Sequence, residues 1–355
     1  MTLDLRLRHS FGTFTLDLAF SAPPGVTALF GRSGAGKTTV VNALAGLMRP
    51  EEGRICLNQQ VLLDTRAGIF IPPHRRRIGY VFQEPRLFPH LSVKQNLLYG
   101  RWFAPRGARA ADFDRVVDLL GIGALLARRP SALSGGEKSR VALGRAILSS
   151  PQMLLMDEPL AALDEERKAG ILPYLALLRD EFRLPILYVS HSATELAQLA
   201  TTVVLIEGGR VLASGPTAEV LTTPASATGF GLSETASLIT VTAEEIEEDG
   251  ITRLRSASGP LWLTGVKTAP GQALRLRILA RDVMLARSRP EGISALNILP
   301  LKLIDLTETQ GEVLVRMQLG EEVLLSRITR RSALALELSP GQQLYAVIKA
   351  VSLAR

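Results

Sequence analysis

The sequence predicts an α/β fold, a parallel sheet with helices on both faces, followed by a small all-β region. Three observations carry this. Short apolar runs at 26–30, 78–83, 153–157 and 186–191 alternate with helical stretches, as strands joined by crossover helices do. Those runs lead into Gly31, Gln83, Asp157 and His191, and an open parallel sheet carries its active groups at the carboxyl ends of its strands. Past Leu221 the helical stretches give way to short alternating strands with charged turns.

Length and composition bound the rest. A chain of 355 residues suits two or three domains. Its 46% apolar content is enough for real cores. No apolar run reaches the roughly 18–20 residues of a membrane-spanning helix, and Leu3, Leu5 and Leu7 alternate like a strand rather than a signal peptide. The expectation is a cytosolic chain, or one docked on something that spans the membrane. Cys56 is the single cysteine, which excludes an intrachain disulfide and a cysteine-based metal site. The net charge of +7 raises a nucleic-acid reading. The arginines are spread widely, and only Arg75–Arg77 and a loose group at 101–115 cluster. Attraction to an anionic membrane leaflet or to a polyanionic nucleotide explains the sign equally well.

In chain order, Phe14, Leu16, Leu18 and Phe20 repeat at period two, a half-buried strand. The run at 26–30 is a buried strand and 39–47 a helix, stopped by Arg49-Pro50. Helical character dominates from Glu84 to about Pro130, including 92–99 and 113–120. Residues 222–237, rich in Thr, Ser, Ala and Gly, read as a linker. The β region repeats itself: Pro270-Gly-Gln-Ala-Leu recurs as Pro340-Gly-Gln-Gln-Leu. Two related small β units follow from this, of the oligonucleotide-binding barrel type.

The most specific signal lies between the strand at 26–30 and the helix after it. Gly31, Arg32, Ser33, Gly34, Ala35, Gly36, Lys37 and Thr38 read G-x-x-x-x-G-K-T, and Thr39 follows. Glycines let the backbone wrap a phosphate with its N–H groups inward, and the helix start adds partial positive charge. Lys37 would reach the β- and γ-phosphates and the Thr38 hydroxyl would hold Mg²⁺. The chain is expected to bind a nucleoside triphosphate. Asp157-Glu158 ends an apolar strand, where one carboxylate can serve Mg²⁺ and its neighbour can polarise water. Leu133-Ser-Gly-Gly-Glu137 reads by itself as a capping box, Ser134 with Glu137.

Taken together, the phosphate loop, Gln83, 133–137, 153–158, Leu163-Asp164 and His191 resemble the ATP-binding-cassette family, in order and spacing, over residues 1 to about 230. The resemblance implies a parallel sheet with an antiparallel β subdomain and a helical subdomain at about 84–133. It also implies a head-to-tail homodimer, in which ATP sits between one phosphate loop and the partner's Ser134, Gly135 and Gly136. Under it, Glu158 is the general base and His191 bridges the γ-phosphate and the attacking water. Gln83 touches Mg²⁺ alongside Thr38 and Asp157, and Asp164 communicates across the dimer. Adenine stacks near the first strand, on Phe11 or on His9.

The stretch 73–90 looks like that of bacterial molybdate-importer ATPases, and residues 291–355 resemble the small oxyanion-binding Mop/TOBE-type module. The implied organisation is a cassette over 1–230, a linker and first β unit over 231–290, and the module over 291–355. Ser326, Arg327, Thr329 and Lys349 would supply its oxyanion donors. Expected partners are two membrane-spanning permease subunits and a periplasmic or lipid-anchored molybdate-binding protein, with no nucleic acid. The chain would then sit at the cytoplasmic face of the membrane. Importers of sulfate, iron and sugars carry similar C-terminal barrels. A soluble cassette acting on nucleic acid or ribosomes is the rival class, and those usually fuse two cassettes or insert a coiled coil. This chain shows one cassette and a helical insert of about 45 residues.

Overall fold

In a computed structural model the described residues are all but 1, 104–110, 162, 164–167, 169, 173, 177–183, 224–233, 249, 265–267, 310, 349–351 and 354–355. The chain forms two compact units, Met1–Ser214 and Gly215–Arg355.

The first unit holds two sheets. β1 (Leu3–Phe11), β2 (Phe14–Ala22), β4 (Glu52–Leu57), β5 (Gln60–Asp64) and β6 (Ile69–Phe70) form an antiparallel sheet in the order β2-β1-β4-β5-β6. The period-two pattern sends Leu3, Leu5, Leu7, Leu16, Leu18 and Phe20 to its inner face. A second sheet takes β3 (Val26–Phe30), β7 (Ile78–Val81), β8 (Met153–Asp157), β9 (Ile186–Val189), β10 (Thr202–Glu207) and β11 (Arg210–Pro216), in the order β11-β10-β3-β9-β8-β7. The pairs from β10 through β3, β9 and β8 to β7 are all parallel. Every residue of β3 and β9 is buried, as expected for strands covered on both faces.

Side-chain alternation divides the core. Met153, Leu155, Leu187 and Val189 pack with α1 (Lys37–Ala45) and the antiparallel sheet. Leu154, Met156, Ile186 and Tyr188 face the helical part, α2 (Val93–Tyr99), α3 (Phe113–Leu119) and α4 (Gly135–Leu148). Helix α1 is therefore held from two sides. Burial of Val40, Val41 and Leu44, each with no exposed surface, contributes about 1.5–3 kcal/mol per side chain.

Gly46, at φ 79°, ends α1 in the left-handed region. The wholly buried Arg76 lies against that end, donating to the Ala43 and Leu44 carbonyls at 2.7 and 2.8 Å and to Ile71 O at 2.6 Å. A cation at a helix C-terminus opposes its partial negative charge. Burial pulls the Arg76 guanidinium down to about 10.

The second unit is two five-stranded sheets over one core. Its first half supplies β12 (Ala236–Ile246), β13 (Ile251–Ser256), β14 (Gly259–Thr264), β15 (Ala273–Leu279) and β16 (Val283–Ala286). The second half supplies β17 (Asn297–Thr309), β18 (Glu312–Leu319), β19 (Glu322–Thr329), β20 (Gln343–Ile348) and β21 (Ser352–Leu353). The sheets run β14-β13-β12-β15-β21 and β16-β20-β17-β18-β19, so each half places its last strand in the other's sheet. The Pro-Gly-Gln repeat extends to the backbone. Gly271 N donates to Ala243 O and Gly341 N to Leu303 O, both at 2.8 Å, with φ of 83° and 88° at the two glycines. A register shift follows at Ala243/Glu245 and at Leu303/Asp305. Much of the linker expected at 222–237 lies outside the described residues.

Candidate active site

The loop between β3 and α1 is shaped by its glycines. Gly36 stands before α1 at φ 100°, and a Cβ there would lie 2.5 Å from Leu16 Cδ1 and 3.5 Å from Phe14 Cζ. Only glycine takes that conformation and that approach without strain. Lys37 is 6% exposed, and its ammonium donates to Gly31 O at 2.6 Å and Arg32 O at 3.0 Å. Two of its three donors are thus spent on the loop itself, which aims the group. Burial lowers the Lys37 ammonium from its usual range, and the charges of Glu158 and Asp157 raise it again.

Strand β8 brings the carboxylates. Burial raises the Asp157 carboxyl above the usual range; hydrogen bonds from the Tyr80 and Thr38 hydroxyls and the Lys37 charge oppose this, while Glu158 adds to it. Tyr80, on the neighbouring β7, donates to Asp157 Oδ2 at 3.3 Å. The Thr38 hydroxyl and the Asp157 carboxylate are both hard oxygen donors, of the kind that holds Mg²⁺ together with phosphate oxygens. Among the described residues no group of three or more His, Cys, Asp or Glu could hold a metal. A Mg²⁺ site built from one or two carboxylates and its nucleotide needs no such group.

Glu158 follows at φ 46°, in the left-handed region that a glutamate rarely adopts. Its N–H donates to Val189 O at 3.0 Å, which ties it to β9. There His191 Nδ1 stands 3.5 Å from Glu158 Oε1, and the His191 side chain is 63% exposed. Strain at a carboxylate beside a histidine is the kind found at reacting centres.

Phe11, Phe14, Ser33, Gly34, Gly36, Lys37, Thr38, Thr39 and Glu158 line one cavity of about 310 Å³. Phe11 is 46% exposed and meets His9 edge-on at 4.4 Å. Phe11 is the member of that pair that faces the cavity. A larger hollow of about 580 Å³, among Arg6, Arg8, Arg54 and Asp64 on the antiparallel sheet, contains none of the motif residues. Chemistry, not volume, marks the site.

Gln83 is exposed just beyond β7. Ser134 caps α4 in a reciprocal box, its hydroxyl accepting from Glu137 N at 3.3 Å and its N–H donating to Glu137 Oε2 at 2.7 Å. That bond and the Ser134 hydroxyl hold the Glu137 carboxyl below its usual range. Ser134 and Gly135 are exposed, Gly136 partly so, and none of the three lines the cavity. Asp164 and Lys349 lie outside the described residues.

In the second unit, Ser326 is fully buried and its hydroxyl donates to Val283 O at 2.6 Å. Arg327 pairs with Glu312 at 3.6 Å, and Thr329 caps the short helix Arg330–Ala335 by accepting from Ser332 N. Alternation along β19 puts Arg327 and Thr329 on one face and Ser326 on the other. The expected donor set therefore divides, and Ser326 belongs to the core. Sequence reasoning also missed Phe14 and Tyr80 as site residues. Phe14 was legible only as a strand position, and nothing near Tyr80 in sequence points to Asp157.

Groups suited to a triphosphate thus meet at the carboxyl ends of one parallel sheet, which defines an ATPase of the phosphate-loop cassette class. Residues 16–161 match the ABC transporter family model and residues 293–354 the TOBE domain model. The chain is 53% identical over 355 residues, 99% of both chains, to "Molybdenum import ATP-binding protein ModC" of Rhizobium meliloti (strain 1021). It is 47% identical over 351 residues, 98% of this chain and 97% of the other, to "Molybdenum import ATP-binding protein ModC 1" of Azotobacter vinelandii. Among solved structures, cbiO1 from Clostridium perfringens, part of the ABC transporter complex cbiONQ, superposes with TM-score 0.53 at 26% identity, over 64% of this chain and 92% of that one. The chain belongs to the ABC transporter family, among its molybdenum import ATP-binding proteins. It is an ATP-binding ATPase subunit, and among the described residues no helix is long and apolar enough to cross a membrane.

Proposed function

We propose that this ATPase couples ATP hydrolysis to the import of molybdate, with tungstate as the closest alternative ion, across the cytoplasmic membrane. The observation that carries this is likeness to molybdenum importers over 99% of the chain, its β unit included. The working assembly is a homodimer on two membrane-spanning permease subunits, at the cytoplasmic face, fed by a periplasmic or lipid-anchored binding protein.

The residues take the following roles. Loop N–H groups of 31–36 and the Lys37 ammonium bind the β- and γ-phosphates, and Phe11 stacks on adenine. Thr38, Asp157 and Gln83 would hold Mg²⁺, which when bound supplies charge neutralisation at the phosphates. Glu158 orients a water and takes its proton as the water oxygen bonds to the γ-phosphorus. The bond to the β-phosphate oxygen breaks, and ADP leaves with the electron pair. His191 positions the γ-phosphate beside Glu158, and the partner's Ser134, Gly135 and Gly136 close over it, with Asp164 at the seam. ATP binding closes the dimer and hydrolysis reopens it, so that the permease alternates access.

The oxyanion reading of 291–355 keeps Arg327, Thr329 and Lys349, which would act at an interface between two copies; Ser326 does not take part. Because β16 and β21 are exchanged between the halves, binding is measured on the full chain. Molybdate is titrated calorimetrically, with sulfate as competitor. Saturable heat that sulfate does not displace is expected. In vesicles containing the permeases and binding protein, molybdate should stimulate ATP hydrolysis. Stimulation by sulfate instead would overturn the substrate assignment.

A further inference from the structure

Helix α5 (Ala193–Leu199) begins at Ser192, and Glu195 stands three residues on, which in sequence looks like another capping box. In the boxes at Ser92/Gln95 and Ser134/Glu137 the third residue's side chain turns back to the cap N–H. At α5 it does not. Ser192 N donates to Ser190 Oγ at 3.0 Å, while the Glu195 carboxylate points inward and is 4% exposed. Its Oε2 accepts from the Tyr188 and Ser190 hydroxyls, both at 2.7 Å. Its Oε1 lies 3.4 Å from Lys168 Nζ. Burial together with the Glu195 charge pushes the Tyr188 hydroxyl far up, so it stays a donor.

These partners are not scattered. Ser190 and Ser192 flank His191, and Ser192 Oγ accepts from Glu195 N at 3.3 Å. Lys168 lies in a helical stretch four positions beyond Asp164. A buried ion pair is a poor source of stability, since apolar residues of like volume often do as well.

We propose that Glu195 is a positioning residue for ATP hydrolysis, its buried carboxylate fixing the turn that presents His191 and tying that turn, through Lys168, to the helical stretch beyond Asp164. This rests on the role given to His191 above. Glu195 touches neither nucleotide nor water and acts through the turn. A misplaced reacting group costs rate, not ground-state binding.

The test is steady-state hydrolysis by the full-length chain, with nucleotide binding and thermal unfolding measured beside it. Glu195→Gln keeps the shape but loses the charge on Lys168. It should lower kcat by about 10- to 100-fold with KM for ATP within a few-fold of wild type. Lys168→Met, at the far end of the same pair, should do likewise and serves if Glu195→Gln fails to fold. In a His191→Ala background Glu195→Gln should have no further effect. A kcat within two-fold of wild type for both Glu195→Gln and Lys168→Met overturns the proposal alone. So does a full additive loss in the His191→Ala background. Wild-type kcat for His191→Ala itself would instead overturn the role of His191, and this proposal with it.

Discussion

Tyr80 and Asp157 join across neighbouring strands of the parallel sheet, the Tyr80 hydroxyl donating to Asp157 Oδ2 at 3.3 Å. Burial pushes the Asp157 carboxyl up, and this bond is the largest influence holding it down. A carboxyl raised in the folded state favours folding at low pH, and that contribution is lost as pH rises through the folded value. Mg²⁺ needs the ionised form, so the acid side of the activity profile reports on this group. Tyr80→Phe removes the bond, and the acid limb of kcat/KM, which reports the groups of the free enzyme, should move to higher pH while the alkaline side stays put. A pH–rate profile checks this, and an unmoved or lowered limb contradicts it.

Glu158→Gln should bind ATP as the wild type does and hydrolyse it about 10²–10⁴-fold more slowly, the usual cost of losing a general base. The Glu158 turn and its bond to Val189 O survive the change because both are backbone features. Equilibrium nucleotide binding beside single-turnover hydrolysis separates the two effects. Hydrolysis within a few-fold of wild type would remove Glu158 from its role.

Lys37→Ala should weaken ATP binding and hydrolysis together, since in the proposed role the ammonium would contact phosphate in ground and transition states alike. Ser134→Arg should fold and bind ATP yet fail to hydrolyse it, because Ser134 lines no part of its own chain's cavity. If the chains pair head to tail as proposed, a mixture of the two variants would form one composite site that carries neither substitution. It should close on ATP more than either homodimer, as cross-linking across the interface would record.

Gly46→Ala should cost about 2–4 kcal/mol of stability, from a left-handed backbone and disturbed Arg76 bonds. A Cβ at Gly46 would sit 2.6 Å from Arg76 Nε, and the packing around the buried guanidinium leaves it little room to yield. Denaturant unfolding measures the loss. A change under 0.5 kcal/mol would show that the α1 end relaxes freely, since surface-like substitutions fall in about that range.

What the sequence determined by itself was local. Spacing and glycine content marked the loop at 31–38, because wrapping a phosphate is a property of consecutive residues. Period-two runs marked β1 and β2, since a strand's faces are set by its own alternation, and continuous apolar runs marked the parallel strands, which are covered on both faces. Ser134 and Glu137 formed the capping box their three-residue spacing implies, and the Pro-Gly-Gln repeat reappeared as two matching backbone turns. Tertiary structure alone decided the relations between distant segments. Tyr80 reaches Asp157, and Arg76 reaches the end of α1, only because strand order makes them neighbours. Glu195 has the spacing of a capping residue and instead turns inward, because buried hydroxyls and Lys168 compete for its carboxylate. Ser326 and Arg327, adjacent in the chain, fall on opposite faces once β19 pairs with β18. The exchange of β16 and β21 is a matter of which edges lie free when the halves meet, and edge pairing is common to every strand. Short-range chemistry is written in residue order, whereas partner choice follows from packing one core around the whole chain.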